Sequence, residues 1–405
     1  MQRLPKQVAA VTAALALAVA AASCGSSSSS SSSTPSSGGG AVPSVDVTKF
    51  TADYAVMKTL QSLAAQGKGK IGVLLPDTTS STRYVQYDAP NLTKAFEAAG
   101  LSSSDFKIDN AHASPATMQQ QAEADITDGA SVLLLDAIDS GSGAAIEKNA
   151  ESKGVKVIDY DRLTLGGPSD RYYVSFNNVK VGQLIGQGEV DCISSWGVKN
   201  PNLLIMDGDP TDNNAKLFAQ GYNGVLAPKF ADGTYKKVGE PTGTWDAPTA
   251  QTLFEQQYTA HPNINAVVTP NDNVAGAVIA ALKNKKIPPK TFPTTGQDAS
   301  LPGLQNILAG YQCGTVYKPY FLEAHAAAAL ALYLRAGQTP PSTLVNSTTK
   351  DGTADVKSVY TPPTWVTIDN MADTVVKDGK VTGDVKVAQL CSGGLQNACS
   401  AAGIQ

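Results

Sequence analysis

The chain has 405 residues, 42% hydrophobic, 6% aromatic and 16% charged, with 31 Lys and Arg against 35 Asp and Glu and a formal net charge of −4. That balance excludes a dedicated nucleic-acid binder, which shows a basic excess or stripe, and the apolar fraction excludes a disordered chain. The three histidines, His112, His261 and His325, stand far apart and outside ligand-like spacing, so no His-rich metal site and no metal cofactor is expected.

Residues 1–23 have the form of a secretory signal, with Arg3 and Lys6 at a positive start, an apolar run over 8–22, and Ala21-Ala22-Ser23-Cys24 as a small-residue exit. The run falls short of the roughly 20 apolar residues that span a bilayer. Its ending resembles a bacterial lipobox with Ala21 in place of the usual Leu, so a lipid on Cys24 is expected to hold the chain to a membrane. Residues 24–45 carry a serine tract over 26–33 and Gly38-Gly39-Gly40, and read as a flexible linker. Its Ser/Gly-rich part reaches roughly 20–25 Å as a coil.

From Lys70 onward short apolar runs alternate with helical patterns. The runs are 71–75, 132–135, 155–158, 203–206, 266–269 and 314–317, rich in Val, Ile and Leu without polar alternation. That is the form of strands buried on both faces of a parallel sheet. Ser114 and Pro115 supply a cap and first-turn proline for a helix expected to stop near Gly129, and Gly100, Gly154 and Gly310 punctuate others. The expected fold class is α/β, with βαβ units wound into two Rossmann-like lobes, because one core rarely grows beyond roughly 250–300 residues. The stretch after Ala336 is rich in Thr, Pro and Gly and reads as less regular.

In such sheets ligands sit beyond the carboxyl ends of the strands. Those positions hold Asp77 with Arg83-Tyr84, then Asp136, Asp159 with Asp161-Arg162, Asp207 with Asp212-Asn213-Asn214, Asn271-Asp272, Asp298 and Lys318. Any one of them serves equally well as a helix cap or a solvated turn. Together they suit a neutral polyol, whose hydroxyls each donate once and accept twice. Tyr84 and Trp245 are candidates to cover the C–H faces of a sugar ring. Of the five cysteines, Cys24 is assigned to lipid. Four remain and allow three pairings. Cys391 and Cys399 bracket a short Gly-containing loop and are expected to pair, leaving Cys192 with Cys313; buried free thiols are the alternative.

Several stretches recur in the order of one family: Tyr160-Asp161-Arg162, Tyr173-Val174-Ser175-Phe176-Asn177-Asn178-Val179-Lys180-Val181-Gly182, Asp212-Asn213-Asn214-Ala215-Lys216-Leu217-Phe218, Asn271-Asp272, Gly296-Gln297-Asp298-Ala299 and Thr315-Val316-Tyr317-Lys318-Pro319. From about Lys70 to Thr382 the chain resembles the periplasmic pentose-binding proteins of ABC importers, those for D-xylose above all. The resemblance implies a type I periplasmic-binding fold with three crossing segments, expected near 175–178, 317–319 and 359–363. It implies a monosaccharide closed between the lobes, a pentose with xylose favoured, a membrane permease as partner, and a monomer. Matched position by position, it implicates Arg83, Asp161, Arg162, Asn213, Asn271, Asp298 and Lys318 as hydroxyl ligands and Tyr84 and Trp245 as the stacking pair. Tyr84 stands where tryptophan is expected. The implied domains are 70–176 with 318–340, 177–317 with 360–390, and a Cys-containing tail over 391–405.

Rival functions fit less well. A glycosidase needs a protonated carboxyl among its pair, yet Arg162 and Lys318 beside the candidate aspartates favour ionised groups. A dehydrogenase fingerprint fails because Ile146 occupies the third glycine position after Gly141 and Gly143. A sugar-sensing transcription factor of the same fold needs a basic helix-turn-helix at the amino end, where this chain has the signal-like segment and serine tract. The sequence presents no ATP-binding P-loop, so the energy for transport is expected to come from elsewhere, and no cofactor is expected.

Overall fold

The computed structural model describes residues 42–405; the signal-like segment, Cys24 and the linker up to residue 41 lie outside the described residues. In chain order the strands are β1 (Lys70–Leu75), β2 (Phe106–Asn110), β3 (Ala130–Leu135), β4 (Lys156–Tyr160), β5 (Tyr172–Phe176), β6 (Asn202–Ile205), β7 (Lys236–Gly239), β8 (Ala266–Val268), β9 (Thr315–Tyr317), β10 (Ser347–Lys350), β11 (Asp355–Thr361) and β12 (Thr364–Val366). The longer helices are α1 (Ala89–Ala98), α2 (Pro115–Thr127), α3 (Ser140–Ser152), α4 (Asn178–Ser195), α5 (Asn213–Ala231), α6 (Ala247–Ala260), α7 (Asp272–Asn284), α8 (Leu301–Leu308) and α9 (Tyr320–Arg335).

Two sheets organise two lobes. The first runs β10-β11-β5-β4-β3-β1-β2, all parallel except the edge strand β10. The second has β7-β6-β8 in parallel, with bridges from Val267 to Thr294 and from Gln297 to Val316 leading toward β9, on which β12 lies antiparallel. The apolar runs work as the sequence leads one to expect. In β3, Val132 and Leu134 enter one core while Leu133 and Leu135 enter another on the opposite face. In β6, Leu203 and Ile205 divide from Leu204 in the same way. Side chains alternate along a strand, so a strand apolar at every position needs cover on both faces.

The chain crosses between lobes three times. After β5 it passes through Asn177 into α4, after β9 through Lys318-Pro319 into α9, and after β11 through Pro362-Pro363 into β12. Helices α4 and α5 approach backbone to backbone, because a Cβ on Gly182 would strike the Phe218 carbonyl and one on Gly221 the Val179 carbonyl. That contact seats the amino end of α5 beside the first crossing, where Asn178 Nδ2 donates to Asn214 Oδ1 at 2.8 Å.

Three readings change. The stretch after Ala336 is more regular than expected: it holds the β10–β11 hairpin, with β11 parallel to β5. Its Asp and Thr content is turn chemistry, for Asp351 Oδ1 accepts from the backbone N–H groups of Thr353 at 2.7 Å and Ala354 at 2.6 Å. The edge strands β2 and β7 carry too many polar residues to read as apolar runs. The chain is also packed earlier than the expected start of the first lobe at Lys70, with Val45, Phe50, Met57, Leu60 and Leu63 buried against α1 and α9. Helix α9 is buried on nearly every side, lying between those residues and the first sheet.

Cys192 is bonded to Cys313 and Cys391 to Cys399, with Cα atoms 6.0 and 5.9 Å apart. The residues after β12, including Leu390, Cys399 and Ile404, share a core with Leu304, Ile307 and Leu308 of α8 in the second lobe.

Candidate ligand-binding site

A cavity with about 290 Å³ of empty space lies between the lobes at the carboxyl ends of the strands. The loop after β1 contributes Ser80, Ser81, Arg83 and Tyr84, and the residues just after β4 contribute Asp161 and Arg162. From the second lobe come Asp212, Asn214, Phe218, Trp245, Asn271, Gln297 and Asp298, and from the second crossing Lys318.

Arg83 introduces a five-residue π-helical turn over Tyr84–Asp88 that runs into α1. The turn returns Asp88 to Arg83, whose Nε and Nη2 donate to the two Asp88 oxygens at 2.7 Å. Nη2 also donates to Glu323 Oε2 at 2.6 Å and Nη1 to Asp161 Oδ1 at 2.7 Å. A guanidinium has five N–H groups, so only one, on Nη1, remains for a ligand. Burial pushes the Glu323 carboxyl up to about 8 against the pull of Arg83. For Asp161 burial also pushes upward, but Arg83 foremost, with Lys318 and Arg162, holds it at about 2. Asp161 is therefore an ionised acceptor and no general acid.

Arg162 ties the walls together. Nη2 donates to the Tyr84 hydroxyl at 3.0 Å, and Nε lies 3.3 Å from Asp212 Oδ2 and 3.6 Å from Asp136 Oδ1. The Tyr84 hydroxyl in turn meets Asp161 Oδ2 at 3.3 Å. The tyrosine hydroxyl thus accepts a hydrogen bond from Arg162 that an indole, a donor only, could not accept. Asp212 caps α5 through Oδ1 and accepts from Trp245 Nε1 at 3.1 Å through Oδ2. The Trp245 ring lies against Gly208, where any side chain would collide with it. Asn271 caps α7 and donates through Nδ2 to the Ser80 carbonyl at 3.1 Å. Asp298 accepts from Ser81 Oγ at 2.7 Å, and its Oδ1 lies 3.4 Å from Lys318 Nζ.

Of the residues singled out from sequence, Arg83, Tyr84, Asp161, Arg162, Trp245, Asn271, Asp298 and Lys318 all line the cavity. Asn213 does not: it is half-buried, and its neighbours Asp212 and Asn214 face the cavity instead. Ser80, Ser81 and Gln297 also line it without having been singled out, although they sit in loops after strand ends. Several strand-end acids serve the scaffold. Asp77 holds the turn at Thr79 and Ser80, Asp159 pairs with Arg171 at 3.0 Å, and Asp207 accepts from Tyr222. Asp272 accepts from Ser300, Gln312 and Thr315, and burial pushes it up to about 7. Gly141 and Gly143 lie inside α3, whose amino end is capped by Asp139.

The lining cations are Arg83, Arg162 and Lys318, and the lining carboxylates are Asp161, Asp212 and Asp298. The lining charges are equal in number, three of each sign. Forked donors and acceptors beside aromatic rings, here Tyr84, Phe218 and Trp245, are what a neutral ring rich in hydroxyls requires. Among the described residues no group of three or more His, Cys, Asp or Glu could hold a metal ion.

The family model described as the periplasmic binding protein domain matches residues 71–339. The D-xylose-binding periplasmic protein of Escherichia coli is 36% identical over 323 residues, 79% of this chain and 93% of that one. A multiple sugar-binding periplasmic protein of Azospirillum brasilense is 33% identical over 337 residues, 78% of this chain and 91% of that one. Among solved structures, a carbohydrate transporter solute-binding protein of Chloroflexus aurantiacus in complex with D-glucose is similar, with a TM-score of 0.68 and 29% identity over 76% of this chain and 95% of that one.

Proposed function

The chain belongs to the periplasmic binding protein family, and we propose that it captures one monosaccharide between its lobes, D-xylose among the pentoses, and delivers it to the membrane permease of an ABC importer. The observation that carries this reading is the charge-balanced cavity with Tyr84 and Trp245 on its wall. Sugar contacting both lobes binds the closed arrangement preferentially, and that difference in affinity drives closure. Calorimetric titration with D-xylose, L-arabinose, D-ribose, D-glucose and D-galactose tests it. The tightest binding is expected with D-xylose, and an absence of heat with every sugar overturns the reading.

A hexose is the second reading, favoured by the glucose-bound neighbour and the multiple sugar-binding relative. Glucose bound more tightly than xylose in the same titration selects it.

The protein works outside the cytoplasm as a monomer, tethered by lipid on Cys24. Support comes from the small-residue exit Ala21-Ala22-Ser23 and the serine tract that follows. Cys24→Ser is expected to move the protein from the membrane fraction into the soluble one. Unchanged fractionation argues for secretion without an anchor.

A further inference from the structure

Two of the cavity aspartates share an unusual backbone. Asp161 has φ 57° and Asp298 φ 99°, with Ala299 at φ 48° beside it. Residues with side chains seldom occupy this left-handed region, and they stay there only where the surroundings hold them. One aspartate follows a strand of the first lobe and the other lies in a loop of the second. Their carboxylates converge on one cation, with Lys318 Nζ 3.6 Å from Asp161 Oδ1 and 3.4 Å from Asp298 Oδ1.

Each backbone N–H is bonded within its own lobe, Asp161 to the Val174 carbonyl and Asp298 to that of Val316, both at 2.9 Å. The carbonyls are held differently. The Asp298 carbonyl accepts from the hydroxyl of Tyr320, a residue of the first lobe, at 2.7 Å. The Asp161 carbonyl accepts from Tyr173 and Ser175 of its own lobe and, at 3.0 Å, from Nδ2 of Asn214 in the second lobe. Both donors are themselves fixed. The Tyr320 ring stacks on Tyr87 at 5.1 Å with an interplanar angle of 8°, and Asn214 Oδ1 accepts from Asn178.

We propose that Tyr320 and Asn214 are positioning residues, each bonding the backbone carbonyl of the left-handed aspartate of the opposite lobe, so that the aim of the two acceptor carboxylates is completed when the lobes are together. This rests on the reading that Asp161 and Asp298 accept the sugar hydroxyls. A carbonyl pinned from across the cleft links backbone conformation to lobe position, so closure and the aiming of the acceptors become one event. Ser81, from the first lobe, adds to the same link by bonding Asp298 Oδ2.

The test uses the full chain, D-xylose and D-glucose. Tyr320→Phe keeps the stacked ring and removes the hydroxyl; Asn214→Leu keeps the bulk and removes the amide, with Asn214→Ala in reserve if the leucine variant does not fold. Each is expected to weaken binding of the tighter sugar about tenfold, the scale of one hydrogen bond. An affinity within twofold of the wild type in both variants overturns the proposal. A second readout needs no sugar. In a crystal structure of Tyr320→Phe, Asp298 is expected to leave the left-handed region, and φ remaining near its present value also overturns the proposal. If the wild type binds neither sugar, the functional reading fails, and the crystal structure still decides the positioning role.

Discussion

Arg162 reaches across the cleft to Asp212, with Nε 3.3 Å from Oδ2 and both side chains buried. The pair joins the end of β4 in one lobe to the cap of α5 in the other, and through Asp212 it also fixes the Trp245 indole. Burial pushes the Asp212 carboxyl upward while Arg162 opposes the shift. Asp212→Asn keeps a good helix cap and removes the charge. Breaking a buried charge pair costs about 2–5 kcal/mol of binding, so sugar affinity is expected to fall at least thirtyfold by calorimetry.

Trp245 is one of three tryptophans, with Trp196 and Trp365, and it alone lines the cavity. Sugar binding is therefore expected to change the intrinsic fluorescence, and Trp245→Phe should abolish the change while Trp196→Phe leaves it intact. A signal that survives in Trp245→Phe removes this ring from the ligand contact.

The two disulfides close loops of very different size, with sequence separations of 121 and 8. By the chain-entropy relation the larger contributes about 5 kcal/mol and the smaller about 2.5 kcal/mol. Urea unfolding of Cys192→Ser/Cys313→Ser against Cys391→Ser/Cys399→Ser should rank them in that order. Equal losses would show that folded-state contacts outweigh loop closure.

Two buried groups give opposite pH dependence. His325 is packed among Phe50, Tyr54 and Phe321, and neither ring nitrogen has a partner. Burial lowers its pKa to about 3 from an ordinary 6.5. The unfolded chain takes up this proton as pH falls through 6.5 and the folded chain does so only near 3. Stability is thus lost across that window, by up to about 1.4 kcal/mol per pH unit. His325→Leu should flatten the acid limb of a stability–pH curve.

Glu189 is the converse. Both carboxyl oxygens are buried without a partner, and burial raises its pKa well above the ordinary value of 4.5. The folded chain keeps the proton that the unfolded chain releases above 4.5, so this group's contribution to stability falls as pH rises. Glu189→Gln should stabilise the protein more at pH 8 than at pH 5 in urea unfolding. An equal effect at both would show that the carboxylate finds solvent.

What could be read from the sequence followed from how local each signal is. Strands apolar at every position, such as β3, announce two covered faces within six residues. Arg83 was legible as a strand-end cation, and Asp88 was within reach of a turn argument, but Glu323 lies 240 residues away and nothing nearby points to it. The one-residue slip at Asn213 has a geometric cause. Successive helix residues are rotated by about 100°, and with the helix starting at Asn213 its polar neighbours point to different surroundings. The β10–β11 hairpin was hidden because its strands mix Ser, Thr, Lys and Asp with few apolar residues, and they belong to the sheet only through pairing with β5, some 180 residues earlier by number.

That pairing has a consequence for how the protein is made. Strand β11 joins the first sheet beside β5, while everything between α4 and β9 belongs to the second lobe. A chain synthesised from its amino end has therefore delivered most of its second sheet before the last strands of its first sheet exist. The lobe that begins the polypeptide is the one that must wait, holding an unpaired β5 edge until the chain returns. Unpaired edges invite foreign strands, so the interval before β11 arrives is when nascent chains of this protein are most exposed to mispairing, and when a chaperone would have the most to guard.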